Sequence, residues 1–157
     1  MSNASGARMR FEEVVGFEGD PAGVWIRASA IAEMPNYWCG TRSLLVTHES
    51  GGAKHAKVKF AFGGSGEAEI STDEGSRTLT IDYKSRPFIG RQIVTVNERD
   101  IIASWDVEFR GMYRIATRWN ERHFRTGTLH ALQRLAGGDR QWEEEPNPNS
   151  HTIAQIK

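Results

Sequence analysis

Residues 101 to 109 read Ile-Ile-Ala-Ser-Trp-Asp-Val-Glu-Phe, and their alternation decides the fold class. Apolar residues stand at every odd position, whereas Ser104, Asp106 and Glu108 lie between them. Successive side chains of a β-strand point to opposite faces, so a period of two predicts a strand with one buried face and one face in water. The segment is therefore predicted to be a strand that covers a core.

Five more segments with the same period precede this strand. Short turns rich in glycine and aspartate separate them, such as Gly51-Gly52 and Gly63-Gly64-Ser65-Gly66. Connections this short join antiparallel neighbours, so the segments predict an antiparallel meander. The six predicted strands are Thr41–His48, Ala56–Phe62, Glu67–Thr72, Thr78–Tyr83, Ile89–Asn97 and Ile101–Phe109.

After the meander, Met112 to Ala136 has helical period, and Gly137 and Gly138 supply a stop signal. An amphipathic helix of this length needs an apolar partner, and the inner face of the sheet is the available one. The predicted inner side of the helix consists of Met112, Ala116, Trp119, His123, Gly127, Ala131 and Leu135, and the opposite side carries Arg114, Arg118, Arg122 and Arg125.

The chain before the meander predicts one strand and two short helices. Apolar residues alternate over Phe11–Phe17, which predicts the strand. Asp20 suits the N-cap of a helix and Pro21 its first position. Pro35 ends or breaks that helix, which leaves a short second piece through Tyr37 to Gly40.

Both ends of the chain lack a pattern that could pack. Residues 1–8 are rich in Ser, Gly and Ala, and residues 137–157 combine glycines, prolines and like charges with few apolar groups. Such segments bury too little apolar surface to offset the entropy of ordering. We expect a flexible tail at 1–8, a single domain at 9–136 and a polar, flexible tail at 137–157.

Composition excludes several classes of protein. The 157 residues include 20 Lys+Arg and 20 Asp+Glu, which gives a formal net charge of +0 at pH 7. This balance argues against a nucleic-acid binder, which needs excess positive charge. A single cysteine, Cys39, excludes an intramolecular disulfide and an all-cysteine zinc site. No run approaches the roughly 18 apolar residues of a spanning helix, and no signal peptide is recognisable, so we expect a soluble, cytoplasmic protein without stable membrane insertion.

Three stretches carry a likeness to a known superfamily. Phe11–Trp25 reads FEEVVGFEGDPAGVW, like that superfamily's opening strand, Pro-containing helix start and Val-Trp pair. Asn36–Gly40 looks like its tryptophan-bearing exit from the second helix, with Cys39 where a proline is usual. Phe124-x-x-Gly127, followed by Ala131-Leu132-x-x-Leu135, looks like the end of its final helix.

With these motifs and this order of elements, the chain resembles the START-related superfamily. That superfamily includes the major birch-pollen allergen, lipid-transfer START domains, polyketide cyclases and aromatases, and coenzyme-Q-binding proteins. The resemblance implies the helix-grip fold, of class α+β. In this fold a curved antiparallel seven-stranded sheet wraps around a long C-terminal helix, and two short helices follow the first strand.

The resemblance also implies an apolar cavity between the sheet and the last helix. Gly127 in mid-helix costs up to about 1 kcal/mol relative to alanine. Close approach of backbone or of a ligand, or simple contact between sheet and helix, would compensate for this cost. The candidate ligand-binding residues are Trp38, Phe60, Phe62, Ile81, Tyr83, Trp105, Val107, Trp119, His123 and Gly127, and ordinary core packing is the alternative for each.

His123 is the candidate catalytic residue, with Tyr83 as a candidate partner. An imidazole changes charge near neutral pH, so His123 could exchange a proton with a bound carbonyl or phenol; a hydrogen-bonded structural histidine is the alternative. His130 follows seven residues later, too far for the usual ligation of one metal by a helix, where the spacing is four. No phosphate loop or nucleophile elbow is present. We expect neither a metal nor a cofactor.

Three functional hypotheses follow. The first is binding, and also transport, of a small hydrophobic molecule such as a lipid, an aromatic polyketide or a quinone. The second is a polyketide cyclase- or aromatase-like enzyme that uses His123 as acid and base. The third is a protein-interaction module that uses the arginine face or the acidic tail. The expected partner is a small hydrophobic molecule and not a nucleic acid, and a homodimer is left open.

Overall fold

One antiparallel sheet and the helices around it account for the part of the chain that this structure, a computed structural model, describes: residues 7–115 and 117–137. The strands are β1 (Arg8–Gly16), β2 (Thr41–Ser50), β3 (Ala53–Phe60), β4 (Ser65–Asp73), β5 (Thr78–Tyr83), β6 (Phe88–Val96) and β7 (Asp100–Phe109). The helices are α1 (Pro21–Ser29), α2 (Met34–Tyr37) and α3 (Thr117–Gly137), with 3₁₀ turns at Ile31–Glu33 and Gly111–Arg114.

The strand order is β1-β7-β6-β5-β4-β3-β2, so β2 to β7 form the predicted meander. The first strand pairs antiparallel with β7 and forms the edge of the sheet opposite β2. Two short helices follow β1, and the long helix comes last. The predicted α+β helix-grip fold with seven strands is therefore confirmed.

The inward face of the sheet follows the predicted alternation. Burying a large apolar side chain stabilises a fold by about 1.5–3 kcal/mol, so the strand that buries most fixes its register most firmly. That strand is β7, which the Gly111–Arg114 turn and α3 follow in the chain. The buried rows of β5 and β7 are Leu79, Ile81 and Tyr83, and Ile101, Ala103, Trp105, Val107 and Phe109.

The inner side of α3 differs from the predicted one. Met112 is 84% exposed and Trp119 is 59% exposed, so neither covers the sheet. The chain at Gly111–Arg114 is a 3₁₀ turn with about 3.0 residues per turn, and α3 begins only at Thr117. Steps of four residues advance about 40° beyond a full turn, so the predicted row drifts from Trp119 on the solvent side of α3 to Leu135 on the side that faces the sheet. The side that meets the sheet consists of Phe124, Thr128, Ala131, Leu132 and Leu135, of which Ala131 and Leu135 were predicted.

The start of β1 lies inside the predicted N-terminal tail. Arg8 Nε and Nη2 donate hydrogen bonds to Asp106 Oδ1 and Oδ2 at 2.8 and 2.7 Å. These bonds tie the first strand to β7, and they hold the pKa of Asp106 below its ordinary value. Residues 1–6 and 138–157 lie outside the described residues, so the two tails remain a prediction there.

The first two helices hold the C-terminal end of α3. The Asp20 carboxylate caps α1 as predicted, by accepting the backbone N–H of Ala22 at 3.0 Å. Pro35 does not break α1, which ends at Ser29; it lies in the first turn of α2, where a missing N–H costs nothing. Arg27 Nη2, from α1, donates a hydrogen bond to the backbone carbonyl of Leu135 at 2.7 Å. This bond gives a carbonyl of the last turn of α3 a donor, and it places a positive charge at the negative end of the helix dipole.

The second strand is one edge of the sheet, and it is irregular. Its pairing with β3 shifts register between Thr41 and Ser43 and again between Val46 and His48. Such shifts leave a residue outside the ladder and bend the strand locally. The part of β2 from Leu45 to Ser50 is exposed, and Leu45 itself is 64% exposed.

Candidate functional site

A cavity of about 220 Å³ lies between α3 and the inward face of the sheet. Aromatic side chains form most of its wall, and they come from the exit of α2, from four of the strands or their ends, and from α3. Rings of this kind bury a large area with few rotatable bonds, so the wall is stiff. The seven aromatic residues are Trp38, Phe60, Phe62, Tyr83, Phe88, Trp105 and Phe124.

Trp105, in the middle of β7, is the centre of this aromatic wall. Its ring lies parallel to that of Tyr83, with centroids 5.8 Å apart and an interplanar angle of 8°. Trp38 and Phe124 meet it edge-on, at 6.0 Å and 5.1 Å. Edge-to-face and offset-parallel pairs are the favoured arrangements of aromatic rings. The wall is therefore held by contacts among its own rings.

Two hydrogen bonds join polar groups within the wall. Trp105 Nε1 donates to Thr128 Oγ1 on α3 at 3.0 Å, and Tyr83 Oη donates to Gln92 Oε1 at 2.8 Å. The Nε2 atom of Gln92 is buried and has no hydrogen-bond partner among the described residues. Burial raises the pKa of Tyr83, and the neighbouring Tyr37 adds to the shift. Tyr83 therefore stays a protonated donor.

The rim of the cavity is formed by exposed residues of α3. His123, Thr126 and His130 are exposed and line the cavity, so they lie where it meets solvent. The His123 ring stacks on Trp119, with centroids 5.1 Å apart and an interplanar angle of 5°. At Gly127, a Cβ atom would meet no other atom within 4 Å. Sheet–helix contact, one of the explanations left open for this glycine, is therefore absent, and the missing side chain leaves the rim open.

Most of the predicted ligand-binding residues meet at this cavity. Ile81 and Val107 lie elsewhere in the core, and Trp119 is an exposed residue beside the rim. Phe62 lies just beyond the end of β3, where its ring contacts those of Phe60 and Phe124. The predicted residues that line the cavity are Trp38, Phe60, Phe62, Tyr83, Trp105, His123 and Gly127.

Sequence reasoning missed several residues of the wall. Gln92 lies in the inward row of β6, between Phe88 and Val94, where alternation would have shown a polar residue on the apolar side. Phe124 belongs to the motif at the end of the final helix, but the predicted row of residues spaced by about four drifts around α3 and omits it. The lining residues that were not predicted are Cys39, Gly40, Thr41, Ala61, Phe88, Gln92, Phe124, Thr126, Thr128 and His130.

The predicted arginine face is partly engaged in ion pairs. Arg125 lies 3.5 Å from Glu13 and 3.7 Å from Glu121, and its guanidinium also covers the Phe11 ring. The Arg118 side chain lies outside the described residues. Within residues 7–115 and 117–137, no three His, Cys, Asp or Glu side chains come together as a metal site. None of the helices described there is long and apolar enough to cross a bilayer.

No protein-family model matches the chain, and no curated protein matches it in sequence. Solved structures do match. The di-domain aromatase/cyclase StfQ of the steffimycin biosynthetic pathway aligns with a TM-score of 0.68 and 8% identity over 88% of this chain. That alignment covers 52% of StfQ, so the chain spans about half the length of this structure.

Two further structures match over nearly their whole length. The Zhui aromatase/cyclase from a Streptomyces species aligns with a TM-score of 0.64 and 13% identity, over 84% of this chain and 99% of that one. A protein from Thermus thermophilus aligns with a TM-score of 0.63 and 15% identity, over 83% and 94%. Identities this low show the fold alone. By its architecture, the chain is a helix-grip protein like these three.

Proposed function

We propose that this protein binds a small hydrophobic molecule in the cavity between α3 and the sheet. The observation that carries the proposal is an aromatic-lined space of about 220 Å³ that a folded chain of this size could have filled. Protein interiors pack to the density of organic crystals, and voids larger than a water molecule are few. A space this large, bordered by seven aromatic rings, favours a ligand over imperfect packing.

The volume limits the size of the ligand. A cavity of about 150 Å³ is enough to bind benzene, whereas drug-sized ligands occupy about 300–1,000 Å³. At about 220 Å³ the cavity suits one or two fused rings. Among the expected ligands, an aromatic or quinone ring system therefore fits better than a lipid with long chains.

Burial of the ligand would supply the affinity. A two-ring molecule that buries about 250 Å² of apolar surface gains roughly 6 kcal/mol at 25 cal/mol per Å², before the costs of ordering are subtracted. Without those costs, this gain corresponds to a Kd of about 40 μM, so a probe without polar contacts should bind more weakly than that.

Tetralin, an uncharged two-ring hydrocarbon, tests the proposal through tryptophan fluorescence and thermal stability. We expect tetralin to raise the melting temperature and to change the emission of the tryptophans in the wall. Trp105→Phe removes a reporter inside the cavity, and Trp119→Phe is the matched control outside it. The emission change should shrink in Trp105→Phe and persist in Trp119→Phe. The reverse pattern, or no stabilisation by tetralin, would contradict binding in the cavity.

A second candidate function is that of a cyclase-like enzyme, because His123 lies on the rim within reach of a ligand that fills the cavity. Tyr83 would act only as a hydrogen-bond donor, since burial raises its pKa. The structural neighbours StfQ and Zhui carry the description aromatase/cyclase.

The probe reaction for this second function is the intramolecular aldol condensation of 2,6-heptanedione. A methyl carbon loses a proton to His123 and bonds to the far carbonyl carbon, and the loss of water gives 3-methylcyclohex-2-enone, which ultraviolet absorbance detects. His123→Ala should lower an acid–base-catalysed rate by about 10²–10⁴-fold and leave tetralin binding unchanged. Equal rates for the two proteins would exclude His123 as the catalytic residue.

A further inference from the structure

The cavity wall contains a side-chain amide that only one hydrogen bond satisfies. Gln92 is 1% exposed, and it lies mid-sheet, opposite Ile81 of β5 and Trp105 of β7. Its Nε2 atom is buried without a partner among the described residues. A buried polar group left unpaired costs about 1–3 kcal/mol, a cost that an apolar side chain here would avoid. The amide therefore calls for a partner from outside the described residues, and a ligand in the cavity that Gln92 lines can supply one.

The hydrogen bond with Tyr83 determines which end of the amide is unpaired. The phenol donates to Gln92 Oε1 at 2.8 Å, so both the phenol hydrogen and Oε1 are satisfied. With the amide reversed, Nε2 would donate to the phenol oxygen, and the phenol hydrogen and Oε1 would both lack partners. The observed orientation leaves fewer unsatisfied groups. The unpaired end is therefore the donor, Nε2.

The charge of the wall limits the acceptor that this donor can meet. Among the described residues around the cavity, none is a lysine, arginine, aspartate or glutamate. A carboxylate or phosphate carried inside would lose its hydration without gaining an opposite charge, which is far more costly than burying a neutral carbonyl. The two histidines that line the cavity are exposed at its rim, whereas Gln92 is buried. An acceptor that reaches Gln92 is therefore uncharged.

We propose that Gln92 is the polar specificity determinant of the cavity and that its Nε2 donates to a carbonyl oxygen of an uncharged ring ketone. This inference rests on the proposed function, to which it adds the chemical class of the ligand. The carbonyl enters first, toward the amide, and the ring remains among the aromatic side chains of the wall. The parallel Tyr83 and Trp105 rings next to the amide suit a flat ring system.

The test compares 1-tetralone with tetralin, which have the same two-ring skeleton and differ by one carbonyl group. Affinities are measured by calorimetry in the wild-type protein and in Gln92→Met, which keeps a long side chain but removes the amide. The ratio of the tetralin Kd to the 1-tetralone Kd should fall by roughly 3- to 10-fold in Gln92→Met, the size of one net hydrogen bond. Gln133→Met on α3 is the matched control, because it makes the same replacement at an exposed residue outside the cavity and should keep the preference for the ketone.

A second measurement needs no variant. The infrared carbonyl stretch of ¹³C-labelled 1-tetralone bound to the wild-type protein should lie at lower frequency than in cyclohexane, because a hydrogen bond weakens the C=O bond. The anion 1-naphthoate should bind more weakly than tetralin. These readouts hold even where Gln92→Met fails to fold.

Three results would overturn the inference. They are an unshifted carbonyl stretch, an equal preference for 1-tetralone in wild type and in folded Gln92→Met, and a preference for the hydrogen-bond donor 5,6,7,8-tetrahydro-1-naphthol over the ketone. The last of these would mean that the amide presents Oε1 to the cavity. Tetralin separates this failure from that of the proposed function: if tetralin binds and the ketone gains nothing, only the role of Gln92 fails.

Discussion

Replacement of Gly127 by alanine should stabilise the protein, although the glycine lines the candidate site. The residue lies inside α3, where glycine costs about 0.8–1.0 kcal/mol relative to alanine. The new Cβ atom would meet nothing within 4 Å, so no clash offsets this gain. For a chain of 157 residues, about 1 kcal/mol corresponds to a rise of roughly 2–4 °C in Tm. Urea denaturation and calorimetry measure both quantities.

The same position tests whether the open rim matters for binding. Gly127→Leu extends a side chain into the space beside the rim and should weaken tetralin binding at least 10-fold without a loss of stability. Gly23→Ala in α1 is the control: its Cβ meets only Arg27 Nη1 at 3.9 Å, and α1 does not line the cavity, so tetralin binding should not change. The reasoning is refuted if Gly127→Ala destabilises the protein, or if Gly127→Leu binds tetralin like the wild type.

Two further predictions concern β6 and β7. Gly90→Ala should destabilise the protein by at least about 2 kcal/mol in urea denaturation, because Gly90 has a φ of 146° and its Cβ would lie 2.6 Å from Val107 Cα and closer still to the Asp106 carbonyl oxygen. Gly40→Ala, with open space around it, should change little, and comparable losses in both would refute the steric argument. Arg8 lowers the pKa of Asp106, so the stability that the carboxylate adds is present above pH 3.8 and is lost as the pH falls through the lowered value. The stability difference between wild type and Asp106→Asn should therefore shrink below that pH, and a difference that stays constant from pH 2 to 7 would contradict this.

The fold could be predicted because its strands carry a strong local pattern. A period of two depends only on which face of a strand is buried, and β7 follows it at every residue from Ile101 to Phe109. The cap at Asp20 is likewise a local interaction between a side chain and the first turn of α1. Such features need no knowledge of the rest of the chain.

The site was predicted less well because it depends on the phase of α3. The predicted row advances in steps of about four residues and drifts around α3, so it includes the exposed Trp119 and omits Phe124. Gln92 was missed for a different reason: its unpaired Nε2 becomes visible only once the partner of Oε1 is known. A hydrogen bond between side chains of neighbouring strands leaves no periodic signal in a sequence.

The irregular pairing of β2 affects how the protein behaves at high concentration. A long, regular outer strand presents an unbroken row of amide and carbonyl groups on which a second molecule can add a strand. Here the two register shifts, at Thr41/Ser43 and Val46/His48, interrupt that row despite the exposed Leu45. We therefore expect the β2 edge to resist fibre formation. Deletion of one residue at either register shift, which would make the pairing regular, should promote fibre formation.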